Sequence, residues 1–247
     1  MKILIQIKLN TPTFQQQNSA IKDIVYNFAT LNIPHEDRYY SNKFKAMDIN
    51  ISQQKEDFIS LLRSTKRDGM EHVIDYLEKS GFFEAPASVN RHLNIDGGLT
   101  CHSLNVLSVA QRLAQQMIEL KPNVQEQLPD DSIIIASLLH DICKSNIYKK
   151  IIKYRKNNMN QWEPYDAYEA DSSRFPAGHG EKSVIMLLQL GLQLTKDEIL
   201  AIRWHMGVWG LVLQNYDDKQ NFSTANDNHP LVCLLQAADS LATHVLE

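Results

Sequence analysis

The feature that most constrains this chain is the run Ile133-Ile134-Ile135-Ala136-Ser137-Leu138-Leu139, almost wholly apolar and ending in His140-Asp141. A helix that is apolar all round has no face to give to water, so this one must run through the protein's centre. It carries an imidazole and a carboxylate inward with it. A buried carboxylate without a partner is costly, so Asp141 has to be paired, hydrogen-bonded or bound to a metal. Asp239 poses the same problem within Leu231-Val232-Cys233-Leu234-Leu235-Gln236-Ala237-Ala238-Asp239-Ser240-Leu241-Ala242.

The remaining pattern is helical. Phe58, Leu61 and Leu62, then Met70, Val73, Ile74 and Leu77, recur at three-to-four spacing until Gly81. After Gly97-Gly98, Leu104 to Met117 mark one helix face, with His102 at its first turn and Lys121-Pro122 as its stop. Asp131 or Ser132 can cap the central helix. A helix over Glu181 to Leu192 enters through Gly178-His179-Gly180, Thr195 and Glu198 form a capping box, and Pro230 fits the first position of the last helix. The expected fold class is all-α, an irregular multi-helix bundle over residues 56–247 with a small N-terminal appendage over 1–55. That appendage has a short alternating run, Ile3 to Leu9, followed by Gln-rich and Asn-rich sequence.

With 247 residues the chain can bury a sizeable core without staples, and a net charge of -4 argues against a general nucleic-acid-coating surface. No secretory signal or membrane span is visible, which predicts a cytoplasmic protein that does not engage membranes. Cys101, Cys143 and Cys233 read as reduced packing residues.

Imidazole with carboxylate suits first-row transition metals. Lys144 follows His140 by four residues and Asp141 by three, so on a helix it shares their face and can meet a phosphate oxygen. His179 lies beside free backbone N–H groups at its helix entrance, which favour anions. His205, in Arg203-Trp204-His205-Met206-Gly207, can complete a second ligand set. His35, His72, His229 and His244 read as solvent-facing, whereas His92 can line the pocket. The stretch from Lys149 to Lys156, with Lys153 and Arg155, then Trp162, Tyr165 and Tyr168, reads either as a lid that binds phosphate and stacks a base or as a solvated basic loop.

Taken in order, GGLTCHSL, LLHDICK, GHGEKS, IRWHMG and AADSLA resemble the motifs of the HD superfamily of metal-dependent phosphohydrolases, over residues 85 to 247. The resemblance implies that His102, His140, Asp141 and Asp239 hold one metal, that Asp141 bridges, and that His179 and His205 hold a second. One or two divalent ions (Mn, Fe, Co, Ni or Mg) are implied. The GGL…H opening is similar to members that act as exoribonucleases or are uncharacterised phosphohydrolases, although the N-terminal part shows no OB domain. The GYP signature of the cyclic-dinucleotide phosphodiesterases is missing. The implied reaction is hydrolysis of a phosphate ester by metal-activated water; in this chain Asp141 and Lys144 read as catalytic and His92, Lys149, Lys153 and Arg155 as substrate-binding. The expected substrate is a small phosphorylated molecule, a nucleotide first and a short nucleic acid second. Two rival readings stand beside it: a di-iron oxygenase with the same ligands, and a non-catalytic nucleotide-sensing module whose metal is structural or absent.

Overall fold

A computed structural model describes residues 50–173, 175–210 and 216–247. The chain divides between Met47 and Asp48, and every described residue belongs to the second unit, Asp48–Glu247. Of the expected appendage, residues 1–49 lie outside the described residues, together with the alternating run and His35.

The polypeptide enters through α1 (Ile51–Ser64), whose first turn is capped by Asn50 Oδ1 accepting from the Gln53 N–H. It continues through α2 (Met70–Lys79) to a buried aromatic knot of Phe58, Phe82 and Phe83. Next comes α3 (Gly98–Leu120), the longest helix, which Lys121-Pro122 ends as predicted. Gly97 adopts φ 75° before it, and Gly98 admits no side chain because a Cβ there would collide with the Leu93 carbonyl. This close approach folds the 87–97 loop back on the start of α3 and brings His92 onto His102.

The apolar run forms α4 (Asp130–Leu139), with Ser132 to Leu139 all buried. Its capping differs from expectation. Pro129 holds the cap position, and Asp131 and Ser132 are recruited across the bundle instead. Ser132 donates to Glu198 Oε1 (2.6 Å) and Asp131 accepts from Arg67 (2.6 Å). Glu198, fully buried, also accepts both guanidinium arms of Arg67 at 2.8 Å while closing the predicted capping box with Thr195. These bonds tie the start of α4 to the start of α6 (Lys196–Trp204). Between them lies α5 (His179–Gln189), and the chain closes with α7 (Tyr216–Asn228) and α8 (Pro230–Leu241), Pro230 at its first turn, ending in a π-helical turn, Ala242–Leu246.

The bundle is all-α as predicted, with one addition. The stretch read from sequence as a lid or a solvated basic loop is an antiparallel hairpin of β1 (Tyr148–Lys156) and β2 (Trp162–Ala170), in register from Tyr148↔Ala170 to Lys156↔Trp162. Two isolated strands are marginal alone, and here Ala167 and Tyr168 are buried at the end nearer the bundle. Two smaller readings are corrected. His229 is partly buried and hydrogen-bonded to Asp197 rather than solvent-facing, and Cys233 is exposed rather than packed. Among the described residues no helix is long and apolar enough to cross a membrane.

Candidate metal centre

Helix ends and one tight packing contact assemble the centre. His140 caps the C-terminus of α4 and His205 that of α6, and their rings lie 4.9 Å apart between centroids. His179 opens α5. Gly180 lets that helix touch the end of α6, since a Cβ there would strike the Arg203 carbonyl. His102 comes from the second turn of α3 and Asp239 from α8.

Asp141 is the hub. Its Oδ2 lies 3.4 Å from His140 Nε2 and 3.8 Å from His102 Nε2, while its Oδ1 lies 3.4 Å from His179 Nε2 and 3.6 Å from His205 Nε2. Asp239 Oδ1 stands 3.3 Å from His102 Nε2. The six residues expected from the sequence are therefore together. His102, His140 and Asp141, and likewise His140, His205 and Asp239, offer ligand atoms within 4.8 Å of one another.

Each buried histidine is held by its far nitrogen. His140 Nδ1–H donates to the Ser137 carbonyl (2.9 Å), His205 Nδ1–H to the Ile202 carbonyl (2.7 Å), and His102 Nδ1–H to the Glu247 carboxylate (3.1 Å). This leaves Nε2 of His140 and His205 facing the centre as lone-pair donors, the usual orientation of metal-ligating imidazole, and aims His102 Nε2 at the centre with Asp239 before it. His140 Nε2, His205 Nε2 and Asp141 Oδ1 are buried without any hydrogen-bond partner. Orphaned lone pairs converging from three residues are costly unless a cation receives them, so this donor set fits a divalent metal.

The electrostatics agree. Burial would raise the Asp141 pKa, yet the Lys144 ammonium and the adjoining His140 ring hold it well below the ordinary carboxylate value. Burial likewise opposes ionisation of Asp239, but His102 keeps it below the usual range. Burial alone would lower His102, and its bonds to Asp239 and Glu247 outweigh that and hold the ring at about 9. His179 keeps 41% of its side chain exposed at the mouth, and is nonetheless pushed down to about 4 by desolvation and by neighbouring Lys144 and His205, against the pull of Asp141. Cys143 also lies within reach of Asp141 and His179, but burial and Asp141 push its thiol up to about 12, so it stays protonated.

Lys144 reaches the centre by a different route from the one expected. The helix stops at Leu139, and a 3₁₀ turn, Ile142–Lys144, delivers the side chain. Its Nζ donates to Asp141 Oδ2 (2.7 Å) and to the Ala87 carbonyl (2.9 Å), which commits two of its three protons. His92 does line the site, its ring 5.1 Å from that of His102. Lys149, Lys153 and Arg155 are not brought to the cluster. At a strand's rise of ~3.3 Å per residue, Lys153 and Arg155 lie roughly 17 and 23 Å along β1 from Tyr148. Arg155 is held by Glu163 and stacks on Tyr165, while exposed Lys149 points to the opposite face of the strand from Tyr148. Sequence reasoning missed Glu247 and Asn105, which holds Glu247 through its side-chain amide (3.0 Å). It also missed Tyr148, half-buried near Lys144, whose phenol desolvation raises to about 12.

The HD domain family model matches residues 99–244. This chain belongs to the HD domain family. The match contains all six clustered side chains, from His102 to Asp239, and stops short of Glu247. Among curated proteins, the chain is similar to the dihydroneopterin 2',3'-cyclic phosphate phosphodiesterase of Methanocaldococcus jannaschii, 32% identical over 88 residues. That stretch is 36% of this chain and 32% of the relative, so the chain spans about a third of the length of the protein it matches. No solved structure matches.

Proposed function

We propose that this HD domain is a metal-dependent phosphoric ester hydrolase acting on a small phosphorylated molecule of nucleotide type, with His102, His140, Asp141, His179, His205 and Asp239 as its metal ligands. The observation that carries this reading is the division of labour at Asp141. One carboxylate oxygen faces His102 and His140 and the other faces His179 and His205, with an orphaned lone pair on each side. A carboxylate so placed can bridge two ions. The chemistry such ions supply is Lewis-acid polarisation of a phosphoryl oxygen and a water whose pKa approaches neutrality.

The chain's own side chains do the rest. Ser137, Ile202 and Glu247 hold three imidazoles with Nε2 toward the centre. Lys144 orients Asp141 and keeps one N–H for a phosphoryl oxygen, where a point cation stabilises developing charge. Asp239, with 18% of its side chain exposed, can orient the attacking water. His179 stands at the open side, where substrate enters. The similarity to a cyclic phosphodiesterase favours a phosphodiester, and 2',3'-cyclic nucleotides are the first substrates to try.

Elemental analysis of the purified chain, followed by a phosphate-ester screen with the metal found, tests the reading. Bound divalent metal and metal-dependent hydrolysis are expected. Two irons per chain with oxygen consumption and no ester cleavage would overturn it in favour of an oxygenase, and a metal-free protein in favour of a sensing module.

A further inference from the structure

Beside the centre lies a cavity of about 300 Å³ that none of the metal ligands lines. Its walls come from α2 (Tyr76), from the turn that follows Lys144 (Ser145), from the segment entering α5 (Phe175) and from α5 itself (Lys182, Met186 and Gln189). Three features make it a built site. Lys182 is only 8% exposed, and its Nζ lies 5.6 Å from the centroid of the Phe175 ring, which shares the cavity wall. The Asp171 carboxylate lines the same cavity and is itself engaged. An ammonium and an aromatic face on one cavity wall can together receive a planar ring that carries a hydrogen-bond acceptor. The Tyr76 and Ser145 hydroxyls, 3.2 Å apart, and the Gln189 amide add donors and acceptors around an apolar floor.

Its position relative to the centre is set by two short spacings. Lys182 follows His179 by three residues on α5, a rise of ~4.5 Å on one helix face. Ser145 follows Asp141 by four residues through the 3₁₀ turn. The cavity thus sits about one helical turn from the metal ligands, the separation expected between a phosphate and a ring joined to it through a sugar.

We propose that this cavity binds the heterocycle of the phosphate ester, a planar ring system stacked against Phe175 with a carbonyl oxygen or ring nitrogen accepting from Lys182. Its size is at the lower end for small-molecule sites, enough for one fused ring system. Guanine suits it best, because O6 and N7 present two acceptors on one edge and leave polar groups for Gln189 and the hydroxyls on the others. The proposal rests on the hydrolase reading for its link to catalysis, and the experiment separates the two.

The test is calorimetric titration of guanosine, which carries no phosphate, into the full chain, into Lys182→Met and into the cavity-filling Met186→Trp. Guanosine should bind the parent and bind Lys182→Met at least about tenfold more weakly, the loss expected for one charge-assisted hydrogen bond. Met186→Trp should weaken it as well. Lys182→Met should melt no lower than the parent, because the linear side chain keeps the packing of the lysine stem without an ammonium to desolvate. Equal binding by all three, no binding to the parent, or lost binding with a lowered melting temperature would overturn the subsite. Hydrolysis of bis(4-nitrophenyl) phosphate, which has no heterocycle to seat, reports on the hydrolase reading independently. A chain that binds guanosine through Lys182 but cleaves no ester keeps the subsite and loses the hydrolase, and the converse result does the opposite.

Discussion

Helices α4 and α6 lie side by side in the same direction, and their two ends are both buried, both charged and chemically opposite. At the N-terminal ends, Arg67, Asp131, Ser132, Thr195 and Glu198 form a closed network in which both oxygens of Glu198 are satisfied at 2.6 to 2.8 Å. At the C-terminal ends, His140, His205 and Asp141 gather with three atoms left unpaired. Burial and charge are common to both, so neither marks a functional site. What separates them is completeness: a network that answers every donor and acceptor is a clamp, and one that leaves convergent lone pairs open is a receptor for a cation.

The contrast breaks most decisively at Asp141. Asp141→Asn should reduce bound metal to trace and ester hydrolysis to background, read by elemental analysis and phosphate release, and retention of both would remove the centre's meaning. The opposite end should respond in stability alone. Arg67→Ala strands a buried carboxylate, for which a loss of about 3–5 kcal/mol is expected, or roughly 10 °C in melting temperature, with metal content per folded chain unchanged. A variant that loses metal in proportion to stability would show that the two ends are not separable.

A subtler contrast lies within the centre, between imidazoles held by backbone carbonyls and His102, held by a carboxylate. Glu247→Gln should weaken metal affinity about 10- to 100-fold while leaving stoichiometry at saturation intact, as measured by competition with a chromophoric chelator. The smallest effect is in proton balance. His102 titrates near 9 in the metal-free protein, above its unfolded value, so its contribution to stability is complete below about 6.5 and fades as pH rises through 9. Metal must displace that proton. Apparent affinity should therefore climb with pH up to about 9, and titration calorimetry in buffers of different ionisation enthalpy should report proton release at pH 7.

The sequence makes some of these residues legible and hides others for a physical reason. His140, Asp141 and Asp239 stand out because a polar group in an apolar helix demands a partner, an argument that needs nothing beyond local sequence. The same local logic gives Thr195 with Glu198 and Pro230. Glu247, the Ala87 carbonyl and Arg67 matter through contacts across long stretches of chain, 145 residues in the case of His102 with Glu247, and no periodicity announces those. The hairpin escaped because Tyr148 to Lys156 carries adjacent lysines and adjacent isoleucines, so its alternation is broken, and the pairing that rescues it is supplied by β2. Lys144 was found for a helical spacing that the chain does not keep there. The 3₁₀ turn reaches the same place through a tighter winding.

The closing of α4 and α6 at His140 and His205 has one more consequence. Every helix carries a partial negative charge at its C-terminal end, and here two such ends converge on the carboxylates of Asp141 and Asp239. Those two helix ends add to the attraction for a cation that the carboxylates exert, and they work against the pull of Lys144 on a phosphate group. If the proposed hydrolase reading holds, an anionic ester should bind better once a metal has offset the field of those ends, which predicts metal first and substrate second. Substrate analogues should accordingly bind the chelated protein far more weakly than the loaded one, a form of gating that requires no moving part.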